Sequence, residues 1–186
     1  MKSLRLTILL LFPSFIALRA QMVQDSMVKT RGHYPFQAGI LIPAPIDKLA
    51  SSHGAGAGLD ISWCPQGFDA DTITYKKSGF IMNGGIRYLP GKSITVAGHG
   101  FRYGNLLSIY AMPGYYFRPV QKGYLAVFAG PELNGYRKNF NLGLGAQVQA
   151  NYSLSNRVAM GPGIIFKKRD GTPAMWMAAI RAGYRF

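Results

Sequence analysis

The sequence predicts an all-β protein, an antiparallel up-and-down transmembrane β-barrel of eight to ten strands, with ten favoured. Three observations predict it. Residue character alternates with a period of two over runs longer than the ~5–6 residues of an ordinary strand. Aromatic side chains collect near the ends of those runs (Tyr34, Trp63, Tyr88, Tyr152, Trp176, Tyr184). Beyond the N-terminus, no apolar stretch reaches the ~18 residues that a membrane helix needs. The composition agrees: 48% of residues are hydrophobic, only 15% are charged, and 23 are glycine, a mix suited to strands with tight bends.

At the N-terminus, Lys2 and Arg5 precede an apolar run over 6–18, and Ala20-Gln21 follows. These read as the n-region, h-region and cleavage site of a secretory signal peptide over 1–20. Export would remove Lys2, Arg5 and Arg19, lowering the formal net charge from +14 to +11. An exported basic protein seldom meets nucleic acid, so a phosphate-bearing glycolipid is the expected counter-charge. The single cysteine, Cys64, excludes an intrachain disulfide and multi-cysteine zinc sites. Residues 21–33 are polar without periodicity and read as a periplasmic lead-in; 34–186 form the barrel.

The runs follow in order. Phe36, Ala38, Ile40 and Ile42 oppose Gln37 and Gly39; Leu59, Ile61 and Trp63 oppose Asp60 and Ser62. Phe80, Met82, Ile86 and Tyr88 oppose Asn83, Gly85 and Arg87, and Leu107, Ile109, Ala111, Tyr115 and Phe117 oppose Ser108, Gly114 and Arg118. The clearest run, 140–152, sets Phe140, Leu142, Leu144, Ala146, Val148, Ala150 and Tyr152 against glycine, glutamine and asparagine. Next, Val158, Met160, Ile164 and Phe166 oppose Arg157, Gly161 and Lys167. Last, Trp176 to Phe186 sets its apolar positions against Arg181, Gly183 and Arg185. Two runs are less regular: 94–103 changes phase near Gly98-His99-Gly100, and 123–133 is apolar on both faces. Pro113, Pro131 and Pro162 inside strands predict bulges.

Alternation alone does not say which face is inside. A soluble sandwich buries its apolar face, whereas a membrane barrel turns that face to lipid and fills its lumen with polar and glycine residues. Strand length and the aromatic positions favour the barrel. The end of the chain also resembles the assembly signal of bacterial outer-membrane β-barrels, with apolar residues at every second position and a terminal aromatic: Ile180, Ala182, Tyr184 and Phe186. That resemblance implies a Gram-negative outer membrane and recognition by the barrel-assembly machinery. The N-terminal segment, with Gln21 after Ala20, resembles those of Bacteroidetes-type exported proteins.

Turn lengths set the strand count. Residues 89–92, 119–122 and 153–156 read as short periplasmic turns, and 43–53, 132–139 and 167–173 as longer outer loops. Nine runs plus a strand at 71–75 make ten; eight, with one weak run moved into a loop, is the alternative.

Two groups of charges are candidate sites. Asp60, Arg87, Arg118, Glu132, Arg157, Arg181 and Arg185 fall on lumen phases, where they either pair to hold the barrel shut or line a narrow anion path. Lys76, Lys77, Arg137, Lys138, Lys167, Lys168 and Arg169 form basic clusters expected on one outer end, facing lipopolysaccharide phosphates. No catalytic, cofactor or metal constellation stands out: His99 and Ser108 are the nearest approach to a base and nucleophile, and the lipid A deacylase His-x-Ser-Asn run is absent. The expected function is therefore a non-enzymatic outer-membrane barrel with a structural or interaction role: envelope integrity, adhesion, or membership of an envelope or transfer complex. The alternatives are a narrow channel for small solutes and, behind it, a lipid-modifying enzyme.

Overall fold

A computed structural model describes residues 34–68, 77–120, 122–137, 139–169 and 174–186, with backbone alone at Val96 and Arg169. The expected signal peptide, lead-in and 71–75 strand lie outside the described residues, as do Lys76 and Lys138. In chain order the elements are β1 (Phe36–Pro45), α1 (Lys48–Ser52), β2 (Ala57–Trp63), β3 (Ser78–Leu89), β4 (Ser93–Val96), β5 (His99–Arg102), β6 (Leu106–Val120), β7 (Gly123–Tyr136), β8 (Asn139–Ser153), β9 (Val158–Arg169) and β10 (Met175–Arg185). Eight strands close an antiparallel barrel in the order β1-β2-β3-β6-β7-β8-β9-β10, with β10 returning to β1. That seam runs from Gln37↔Arg185 to Pro45↔Met177. It is finished by reciprocal backbone bonds between Phe36 and Phe186 of 3.3 and 3.0 Å.

The favoured count of ten is corrected to eight in the barrel. The irregular run 94–103 leaves the wall and folds as the separate hairpin β4–β5. Its turn residues Ala97 and Gly98 have φ of 49° and 81°, the positive-φ pair that a tight hairpin turn requires. The phase change seen in the sequence is this turn. β3 therefore pairs directly with β6, from Ser78↔Phe117 to Leu89↔Leu106. In consequence residues 89–92 lie at the same end as α1, not with the turns after β6 and β8. We call this the cap end, and the end carrying Phe36 and Phe186 the terminal end.

Burial is inverted relative to a soluble protein. Ile40, Leu59 and Leu144 are 58–67% exposed on the outside, while Gln37, Arg87, Glu132 and Lys167 inside are at most 1% exposed. Only a lipid surround makes that arrangement favourable, so the wall is that of a transmembrane β-barrel. Aromatic pairs mark both rims: Phe166–Trp176 (4.8 Å between centroids) at the cap end, Trp63–Phe80 (6.3 Å) and Phe36–Phe186 (5.9 Å) at the terminal end. These are the positions an interfacial girdle occupies.

The prolines act differently from the expected bulges. The β6–β7 ladder keeps one register but opens between Tyr110↔Glu132 and Gly114↔Phe128, the stretch that holds Pro113 and Pro131. Each lacks the N–H that a ladder bond uses, so the pairing is interrupted rather than shifted. The register shift in this pair lies instead at Phe117/Val120, and Pro162 pairs in register with Ile180.

Candidate functional site

The lumen is layered. At the cap end α1 covers the opening: Asp47 caps it, its carboxylate accepting from Leu49 N at 3.3 Å. Leu49 points into a buried cluster with Leu41, Leu89, Leu106, Ile165, Met177 and Ala179. At the terminal end the chain after β2 turns inward, so that Cys64 and Phe68 pack with Ile81, Tyr110, Met112, Tyr116, Tyr124, Ala126 and Phe128. Arg118 holds that inner turn by donating from Nη2 to Gly67 O at 2.8 Å. The two-faced apolar character of 123–133 is explained here, since Tyr124, Ala126 and Phe128 face this cluster while Leu125 and Val127 face outward.

Between the two apolar clusters lies an ionic layer. Asp60 of β2 accepts from Arg181 of β10 in a fork, Nε to the carboxylate at 2.8 and 2.9 Å and Nη2 to Oδ1 at 2.6 Å. Glu132 of β7 serves two cations: Lys167 Nζ at 2.5 Å from Oε1 and Arg87 Nη2 at 3.5 Å from Oε2. Lys167 also donates to Ser108 Oγ and to Asn134 Oδ1. The Arg87 guanidinium stacks on Tyr110, its carbon 4.0 Å from the ring centroid, a contact worth ~2 kcal/mol when desolvated. Nearer the terminal end, Arg185 donates to Ser153 Oγ at 2.6 Å and to Asn156 O at 3.4 Å.

The structure thus brings six of the seven expected lumen charges inside: Asp60, Arg87, Arg118, Glu132, Arg181 and Arg185, each at most 6% exposed. Arg157 is a correction. It precedes β9, in the exposed turn after β8, and donates to the Tyr184 hydroxyl at 3.0 Å on the outer side of the rim. Lys167 is the converse correction: expected among outer basic residues, it is 1% exposed and completes the ionic layer. Its phase had signalled this, because it alternates with Phe166 and Ile164 on the strand face that carries Gly161. Lys77 is corrected too: its carbonyl accepts from Arg118 N at the terminal end, across the barrel from Arg137. At the cap end Arg137 and Lys168 are exposed, and so are three cations the sequence reading missed: Lys48 on α1, Lys92, and Arg102 on β5. They were missed because helix α1 and the hairpin were not foreseen. Asp47 is the one acid at this end among the described residues, and it is engaged as the helix cap. His99 stands exposed on the hairpin, whereas Ser108 is buried in the lumen on Asn134 and Lys167, so the two do not form a base–nucleophile pair. No described group of His, Cys, Asp and Glu is arranged to hold a metal ion.

One histidine joins the cap together. His53 is 5% exposed. Its Nε2 faces Gly104 O at 3.1 Å, a carbonyl that can only accept, so this nitrogen carries the proton. Its Nδ1 meets Ser52 Oγ at 2.8 Å, and its ring lies between Tyr103 and Tyr136 (6.3 and 6.2 Å). Its backbone bridges to Gly91. This one residue, by ring and backbone together, therefore ties α1 to the segment after β3, the link between β5 and β6, and the end of β7. Burial pushes its pKa below the ordinary 6.5, the Gly104 carbonyl opposes this, and the Lys167 charge adds to it. The unfolded chain then binds the proton more readily than the folded cap, so the cap's stability is full above pH 6.5 and falls as pH drops below it. The protection of the α1 amides, taken relative to their intrinsic exchange at each pH, should fall below pH 6.5 in the wild type and stay constant over the same range in His53→Gln.

The fold has counterparts among solved structures. The crystal structure of Ail, the attachment invasion locus protein of Yersinia pestis, superposes with a TM-score of 0.54 at 12% identity, over 84% of this chain and 100% of that one. The fold is that of a small outer-membrane β-barrel. The same protein in a phospholipid bilayer nanodisc gives 0.54 at 14% identity over 83% and 100% of the two chains. Its complex with the heparin analogue sucrose octasulfate gives 0.52 at 12% identity over 81% and 96%. No protein-family model and no curated protein sequence matches the chain.

Proposed function

We propose that the protein is a non-conducting, non-enzymatic barrel of the bacterial outer membrane. In this reading its cap end faces outward and serves as an interaction surface for the phosphates of lipopolysaccharide. The observation that carries it is the charge at that end. Lys48, Lys92, Arg102, Arg137 and Lys168 are all exposed there, and the described acid beside them is already used as a helix cap. Cations on rims near the membrane surface suit phosphate acceptors, each worth ~1 kcal/mol close to an anionic surface. The orientation rests on turn length: the turns after β6 and β8, at the terminal end, are short as periplasmic turns are, whereas the connections 46–56 and 90–105 at the cap end are long. A barrel of the same fold, Ail, is known with a polysulfated sugar bound; that is consistent with a basic outer surface recognising anionic glycans or glycolipids. The layered lumen supports the non-conducting part, since an ion would have to cross two apolar clusters and a paired ionic layer. An adhesive or complex-forming role uses the same exposed surface, with the barrel-assembly machinery as a partner during insertion.

The test replaces Lys48, Lys92, Arg102, Arg137 and Lys168 together by Gln in the purified, folded barrel. Binding to lipopolysaccharide micelles should weaken at least tenfold and lose most of its salt dependence, while lipopolysaccharide stripped of phosphate should bind the two proteins alike. Unchanged affinity for the phosphorylated form would refute the reading. Planar bilayers containing the wild type should show no steps in conductance.

A further inference from the structure

The β1–β10 seam has a bare floor at one point of the lumen. Gly39 pairs with Gly183 there, and both are buried. Over Gly39 lies the Asp60–Arg181 pair: a Cβ at that glycine would meet Asp60 Oδ1 at 2.5 Å and Arg181 Cζ at 2.8 Å. Over Gly183 the neighbours are of another kind. A Cβ there would meet Gln37 Nε2 at 2.4 Å and Arg181 Nη1 at 2.9 Å. Both are donors, and neither has a hydrogen-bond partner among the described residues. Asp60 takes the Nε and Nη2 side of the Arg181 fork and leaves Nη1 over. Gln37 spends its Oε1 on the Tyr124 hydroxyl, at 2.9 Å, which turns its Nε2 towards Arg181. Gln37 is 0% and Arg181 2% exposed. A buried donor without an acceptor is costly, and more so when it is charged.

We propose that this point is a binding site for a small monatomic anion, a halide held by Gln37 Nε2 and Arg181 Nη1 over Gly183. Water could accept from both nitrogens, but the local charge favours an anion. Among the described residues Asp60 is the one carboxylate on this stretch of wall, whereas Arg181 is followed two positions beyond Gly183 by Arg185, which faces Gln37 across the seam. The glycine floor matters equally, because any side chain at Gly183 would fill the place of the ion. With apolar clusters at either end of the lumen, the anion is enclosed as the barrel closes rather than admitted through a pore. It would bind the first strand to the last, at the seam that completes the barrel.

The experiment crystallises the folded barrel with sodium bromide in place of chloride and records anomalous scattering. A bromide peak within hydrogen-bond distance of Gln37 Nε2 and Arg181 Nη1 is the expected result. In parallel, urea unfolding in detergent micelles is compared in bromide and in gluconate at equal ionic strength. Above the dissociation constant, each tenfold rise in bromide should shift the wild-type unfolding equilibrium about tenfold towards the folded state. Gln37→Glu keeps the shape and the Tyr124 contact but places a carboxylate oxygen where the halide sits. It should fold, show no bromide peak and lose the halide dependence. The proposal is overturned by a water at that point. It is equally overturned by a carboxamide turned over so that its oxygen accepts directly from Arg181, or by Gln37→Glu retaining the wild-type dependence on bromide.

Discussion

Replacing Glu132 by Gln should destabilise the barrel by about 3–5 kcal/mol, the cost of leaving buried cations without their counter-charge. Glu132 is the sole carboxylate that Arg87 and Lys167 share among the described residues, at 3.5 and 2.5 Å. Gln keeps the shape of the side chain and its hydrogen-bonding oxygen, so the loss reports charge rather than volume. Lys167 retains Ser108 and Asn134 and Arg87 retains the Tyr110 ring, but these partners bring dipoles and no opposing charge. Unfolding by urea in lipid vesicles, followed by the heat-modifiable gel shift, measures the effect. The double variant Glu132→Gln, Lys167→Met should recover a substantial part of it, because one cation in place of two then faces the neutral side chain. If the single variant unfolds at the wild-type urea concentration, the ionic layer is not what closes the lumen.

Most of this barrel is legible in the period of two, and the places where reading failed have identifiable causes. Period two assigns each strand residue to lipid or lumen, so Asp60, Arg87, Arg118, Glu132, Arg181 and Arg185 were placed inside from the sequence, and the structure finds them there. Alternation says nothing about where a strand ends. Arg157 shares the inward phase of Gly161 and Lys167, yet the strand begins after it, at Val158. Lys167 was misplaced for the opposite reason: a run of three basic residues reads as a loop, although the strand continues through them to Arg169. The hairpin β4–β5 reads as wall because each of its halves alternates as a strand does. The phase change near Gly98 marks the Ala97-Gly98 turn but carries no sign that the pair leaves the barrel as a separate sheet.

The cap and the seam were less legible. Helix α1 has five residues, too few for an amphipathic period to show. His53 gains its role from contacts with Gly91, Tyr103, Gly104 and Tyr136, all more than 35 positions away in sequence. The same holds for Gln37 and Arg181, which meet only because the last strand returns to the first. Long-range closure is the event that creates both sites, and local sequence patterns carry no record of it.

Replacing Ile40 by Arg should destabilise the protein by about 2–4 kcal/mol in lipid, the cost of a cation on the lipid face near mid-depth. Ile40 sits in the middle of β1 and is 60% exposed. By the logic of a water-soluble protein, a charge there would be harmless or would even aid solubility. In a transmembrane wall the same exposure means contact with acyl chains, and the guanidinium must reach a headgroup or draw water inward. Ile40→Leu, which keeps the apolar character, should change stability by less than ~1 kcal/mol. Phe36→Arg, at the rim where Phe36 stacks on Phe186, should cost less than Ile40→Arg, because charges near the interface are tolerated at ~0–1 kcal/mol. Urea midpoints of the three variants in vesicles of one lipid composition give the depth profile directly. A flat profile, with Ile40→Arg as stable as Phe36→Arg, would mean that the apolar face does not meet lipid. The inverted burial that underlies the transmembrane assignment would then need another partner to cover it.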